Sequence, residues 1–247
     1  MRGPWSIKLK KTGGKILAKR WVRKELHRNE IAVFLEKIIG FYKKNREAVI
    51  AGTGITIIVI VVVVYFIIQY RSLNVRAWDM LARAQSQSAN GQIVEAKKTL
   101  EQVTQNFSRT PAATHALLNL AYIYQRAQDY DTAAETYQQV LDGSSNTLLL
   151  PFAYVGLGTA LQDSGNLDRA ITVYETFSEK YADHFLYPTA LQSLAYCYEN
   201  TGRLQDARSQ YEKIITLYPN TIWSENAYSW LRMVEEKEKN SSQKETP

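Results

Sequence analysis

Apolar positions along this chain obey three rules in succession. Residues 48–68, AVIAGTGITIIVIVVVVYFII, form an unbroken run of 21 residues without a charge. Before it, Ile31, Phe34, Leu35, Ile38, Phe41 and Tyr42 recur at helical spacing, while Glu36, Lys37, Lys43 and Lys44 fall mostly elsewhere on the wheel. After it, from about residue 74 to residue 239, small and apolar residues recur every 37 residues. The pattern predicts an amphipathic helix within residues 30–44, one long apolar helix over residues 48–68, and a series of helix pairs beyond. The chain is therefore expected to be all-α.

A helix over residues 48–68 would span roughly 31 Å, close to the thickness of a hydrocarbon core. The run is too long for the core helix of a soluble domain. It begins too far from Met1 and is too long for the apolar stretch of a cleaved signal peptide, and no small-residue cleavage site follows it. The expectation is an uncleaved transmembrane anchor. Tyr65 and Tyr70 stand near one end, where amphipathic rings meet headgroups. Gly52 and Gly54 lie inside the run, so they are no phosphate loop; easing the approach of another helix is their simpler use. Within about 20 residues of the run, the N-terminal side carries Arg28, Lys37, Lys43, Lys44 and Arg46, and the C-terminal side only Arg71, Arg76 and Arg83. Positive charge stays in the cytoplasm, so the N terminus is expected inside and the C-terminal domain outside the cytoplasm.

The repeating region is carried by four alanines, Ala96, Ala133, Ala170 and Ala207, each 37 residues after the last. Twelve residues before each stands a small residue: Ala84, Ala121, Gly158 and Ala195. Four residues after each stands a bulky one: Leu100, Tyr137, Tyr174 and Tyr211. Five residues before each come Gly91, Gln128, Gly165 and Gly202. Small residues facing each other let two antiparallel helices, A and B, approach closely, and the bulky residue fills the gap to the next pair. Glycine ends helix A in a left-handed turn. Leu120, Leu157 and Leu194 precede the small residue in three units, whereas Arg83 breaks the first unit.

This spacing resembles the tetratricopeptide repeat (TPR) over about residues 74–239. The resemblance implies an α-solenoid of about four repeats, with residues 222–238 as a capping helix that ends in the polar EEKEKN. Segments such as EKYADHFLYP add three residues to the usual repeat of about 34. The extra-long repeats resemble bacterial envelope TPR proteins of the CpoB and BamD-like kinds. The layout of basic tail, single span and outward repeats, with FLEKIIGFYKKNREAVIAGTG leading into the span, is similar to the YfgM-like ancillary subunits of the SecYEG translocon. These resemblances imply a bacterial inner-membrane protein with periplasmic repeats. Two roles stay open: an ancillary factor of protein translocation or export chaperoning, or an envelope-assembly or cell-division scaffold. A eukaryotic organelle anchor with cytosolic repeats would invert the localisation.

TPR solenoids line a concave surface with their A helices. On that register the second, fifth, ninth and twelfth places of each helix A face the groove. They are His115, Leu118, Tyr122 and Gln125 in the second unit, Phe152, Val155, Thr159 and Gln162 in the third, and Thr189, Gln192, Tyr196 and Glu199 in the fourth. The mixture suits an extended peptide or a partner helix. It lacks the Lys, Asn and Arg set with which chaperone-tail receptors clamp a terminal carboxylate. For each residue a plain solvated or packing role is as good a reading as binding.

The formal net charge of +6 averages two unlike parts. Residues 1–47 hold 14 Lys/Arg and 4 Asp/Glu, whereas residues 69–247 hold 16 and 20. The basic character belongs to the tail, which argues against nucleic acid as a partner. In that tail Lys15, Lys19, Arg20, Arg23 and Lys24 surround Ile16, Leu17, Trp21 and Val22, a composition that anionic lipid attracts. Charges that only set topology, lipid contact and partner docking all stay open for it. His27, His115 and His184 are isolated, Cys197 is the one cysteine, and no nucleophile arrangement is recognisable. No enzyme activity, metal or cofactor is expected. The chain divides into a basic tail with its amphipathic helix (1–47), a transmembrane helix (48–68), a TPR solenoid (74–239) and a disordered tail (240–247).

Overall fold

The computed structural model describes residues 32–143 and 148–244 and, of residues 241–244, the backbone only. Among the described residues there are ten helices and no strand. The helices are α1 (residues 32–44), α2 (Arg46–Ala89), α3 (Ile93–Asn106), α4 (Pro111–Arg126), α5 (Tyr130–Gly143), α6 (Leu150–Asp163), α7 (Leu167–Lys180), α8 (Tyr187–Asn200), α9 (Leu204–Leu217) and α10 (Ile222–Lys244). The basic stretch 15–24 and His27 lie outside the described residues, as do residues 245–247 of the tail. The chain forms two compact units, Met1–Ile68 and Gln69–Pro247.

In the first unit, α1 follows the predicted helical period and keeps Phe34, Leu35, Ile38, Phe41 and Tyr42 exposed. The run 48–68 lies within α2, and the apolar window of that helix is long enough to cross a membrane while none of it is buried. The two threonines of the run are satisfied inside the helix. Thr53 donates to the carbonyl oxygens of Val49 and Ile50 at 2.9 Å, and Thr56 to Gly52 at 2.8 Å. A helix that consumes its own polar groups tolerates an apolar solvent. Beyond the local backbone of the helix itself, nothing in the described residues lies within 4 Å of where a Cβ on Gly52 or Gly54 would be. The helix passes the end of the apolar run without a break, because residues 69–76 contain neither Gly nor Pro.

In the second unit, helices pack in sequential pairs: the C-terminal part of α2 with α3, then α4 with α5, α6 with α7, and α8 with α9. Pro111, Pro151 and Pro188 open α4, α6 and α8, where a missing N–H costs nothing. Each A-to-B turn repeats one geometry. Gly91, Gly165 and Gly202 have φ of 77°, 81° and 76°, and Gln128 takes the same left-handed place at 62°. The next residue's N–H returns five residues back: Gln92 to Gln87, Asp129 to Tyr124, Asn166 to Leu161 and Arg203 to Tyr198, at 2.8–3.0 Å. This closes each helix in the Schellman manner. The four alanines at 37-residue spacing and the small residues Ala84, Ala121 and Ala195 are all 0% exposed. The solenoid expectation therefore holds, with α10 closing it against α9 and α8.

Candidate protein-binding groove

The A helices touch one another in series: α4 contacts α6, α6 contacts α8, and α8 contacts α10. The twelve candidate positions recur at i, i+3, i+7 and i+10 along α4, α6 and α8, which places each set on one helix face. Three of them are exposed rings: Tyr122 at 56%, Phe152 at 42% and Tyr196 at 49%. The others are half-buried. Leu118 and Val155 pack against the apolar interior, so part of their surface serves the fold.

Several of the polar candidates are engaged by the repeats themselves. The Tyr137 hydroxyl donates to Gln125 Oε1 at 3.3 Å, and the Tyr211 hydroxyl to Glu199 Oε1 at 2.6 Å. The Tyr174 hydroxyl shares a 3.1 Å hydrogen bond with Thr159 Oγ1. Cys197 Sγ donates to Gln162 Oε1 at 3.7 Å. These contacts bridge helix B or the next helix A to the groove side, so the four residues set the spacing of neighbouring helices. Burial pushes the Tyr137 and Tyr174 phenols up to about 12 and the buried Cys197 thiol up to about 11. Burial and the Glu199 hydrogen bond raise Tyr211 further in the same direction. Thr189 and Gln192 stay half-buried on α8.

The structure adds residues that the register did not single out. Trp78 stands one repeat before His115, and the two rings lie 5.1 Å apart. Burial lowers the His115 pKa, which favours its neutral form. Trp78 stands 37 residues before His115, at the same register position, in the first unit, for which the register singled out no groove residues. Phe152 meets His184 at 5.8 Å and the exposed Phe185 at 5.9 Å, which extends the aromatic surface onto the loop before α8. That loop belongs to the three-residue lengthening and has no counterpart in the helical pattern. At the far end, Lys237 of α10 pairs with Glu199 Oε2 at 2.7 Å. The face is thus a row of aromatic rings with amide and carboxylate groups alongside, suited to an extended chain that offers side chains alternately to pockets and solvent.

Residues 40–226 match the sequence model of a family described as a tetratricopeptide repeat-like domain. No curated protein matches the sequence. Among solved structures, a tetratricopeptide repeat protein from Parabacteroides merdae is similar with a TM-score of 0.57 at 16% identity, over 68% of this chain and 63% of that one. The chain thus spans less than two thirds of that protein. MamA from Desulfovibrio magneticus RS-1 is similar with a TM-score of 0.56 at 17% identity, over 68% of this chain and 88% of that one. At such identities the likeness shows the fold alone.

Proposed function

We propose that this chain, which belongs to the tetratricopeptide repeat-like family, is a protein-binding module tethered to a membrane by one span and serving protein translocation or export chaperoning. Repeats of this family bind proteins and peptides, and the twelve groove positions are the proposed contact surface. The observation that carries the reading is the pairing of an unburied, uncharged run of membrane length with an aromatic row on the A helices of the same chain. The charge difference across the run supports a cytoplasmic N terminus and repeats on the other side, in the periplasm of a bacterial inner membrane. The basic tail and α1 would lie at anionic headgroups, in lipid contact or against a partner.

A second reading, an envelope-assembly or division scaffold, is supported by the lengthened repeats. Purification of the full chain in mild detergent, with the bound proteins identified, separates the two. Recovery of translocon subunits supports the first, and recovery of outer-membrane or division proteins supports the second. Tyr122→Ala together with Tyr196→Ala is expected to lower the recovered partner at least several-fold with the helical spectrum unchanged. Undiminished recovery would remove the groove from the account.

A further inference from the structure

The bulky residue of helix B keeps one set of neighbours through the last three repeats. The Tyr137 ring lies on Gly156 of the next helix A, Tyr174 lies beside Ser193, and Tyr211 stands 5.5 Å from Trp230. Those three neighbours occupy the same register position, 37 residues apart. The hydroxyls meet their own helix A at Gln125, Thr159 and Glu199, and that of Tyr174 also bonds Ser193. The first repeat has Leu100 in place of the tyrosine. Moved back by the repeat length, the neighbours become Ser88 (for Gln125 and Glu199), Gln85 (for Thr159) and Asn119 (for the residues of the next helix A). All three, together with Leu100, line a cavity of about 290 Å³ beside Tyr122. The cavity is the place of the ring that the first repeat lacks.

We propose that this cavity receives one tyrosine side chain of a partner protein, offered by an extended segment lying along the groove; this rests on the groove reading above. The room is sufficient, since an apolar cavity of about 150 Å³ already admits benzene. Leu100 and Ile123 supply apolar wall, Tyr122 an aromatic one, and Ser88, Gln85 and Asn119 the polar groups that a phenol needs. Tyrosine is the occupant because the equivalent site in three repeats of this chain holds a tyrosine whose hydroxyl is hydrogen-bonded by helix A.

The test uses the full chain in lipid nanodiscs with labelled methyl groups, and N-acetyl-Gly-Tyr-Gly-amide as the probe against its Phe and Ala counterparts. The Tyr probe is expected to shift the Leu100 and Ile123 methyl resonances, the Phe probe to bind more weakly, and the Ala probe to leave them unmoved. Leu100→Tyr with Asn119→Gly, which copies the Tyr137–Gly156 pair, is expected to fill the cavity and weaken the Tyr probe about tenfold or more, about 1.4 kcal/mol per tenfold. If that variant does not fold, Ser88→Ala decides: it should erase the preference for Tyr over Phe and keep the volume. Equal shifts from the Tyr and Ala probes, undiminished binding by the folded filled variant, or an unchanged preference in Ser88→Ala would each overturn the proposal. Shifts confined to α6 and α8 would overturn it too, while leaving the groove standing.

Discussion

The apolar residues of the two units live under opposite conditions. Residues 48–68 are apolar on every side, and all but the half-buried Val49 are exposed. In the repeats, apolar residues form stripes, and the stripes are covered by the next helix, as with Leu100, Tyr174, Phe177 and Ile214 at 0–2% exposure. The repeats thus cover their apolar surface with their own helices, whereas no described residue covers the run over residues 48–68. Glycine makes the difference concrete. A Cβ on Gly158 would stand 2.5 Å from the Tyr174 ring, whereas one on Gly52 meets nothing within 4 Å beyond the local backbone of its own helix. At Gly156 and Gly158 glycine is a packing necessity; at Gly52 and Gly54 no packed side chain requires it.

The largest effect expected on this contrast comes from charging the span. Ile60→Arg with Val61→Arg should cost about 3 kcal/mol per arginine at the centre of a helix crossing a bilayer. Alkaline carbonate should then extract the chain, while the repeats keep their helical spectrum. Retention in the membrane pellet would show that the run is not the anchor. Next comes alkali. Tyr137 and Tyr174, held at about 12 against an ordinary 10, contribute stability that is whole below pH 10 and lost as pH rises to 12. Denaturant unfolding of the repeats should weaken across that window, and flat stability to pH 12 would contradict the burial of the two phenols.

A smaller effect sharpens the glycine comparison. Gly158→Ala should destabilise the repeats by roughly 1–3 kcal/mol through overpacking against Tyr174, seen as a lower Tm. Gly52→Ala should cost nothing in the same measurement. Smallest is the turn: Gln128→Gly relieves a left-handed non-glycine residue and should add about 1 kcal/mol, and Gly165→Ala should remove about as much. Opposite signs for the pair are the expected result of urea unfolding.

Much of the fold was legible because the chain repeats itself. Ala96, Ala133, Ala170 and Ala207 could be aligned without any structure, and alignment placed Gln128 in the turn position that it occupies. The first unit was less legible: Arg83 breaks its leucine position, and Trp78 carries its aromatic ring where the second unit has His115. Of the groove, the register supplied positions but not their state. Tyr122 and Tyr196 stay exposed, whereas Gln125, Thr159 and Glu199 already hold tyrosine hydroxyls.

The order of residues by itself determined the helical class, the length and uncharged character of the run over residues 48–68, the period of 37 and the turns that close each helix A. These depend on local chemistry: side-chain polarity, backbone freedom at glycine, and the missing N–H of proline. Only the tertiary structure decided which ring rests on which glycine, which hydroxyl meets which amide, and where a leucine leaves a tyrosine's space open. Such facts belong to atoms on different helices, and their distances are set by packing and not by the spacing of letters.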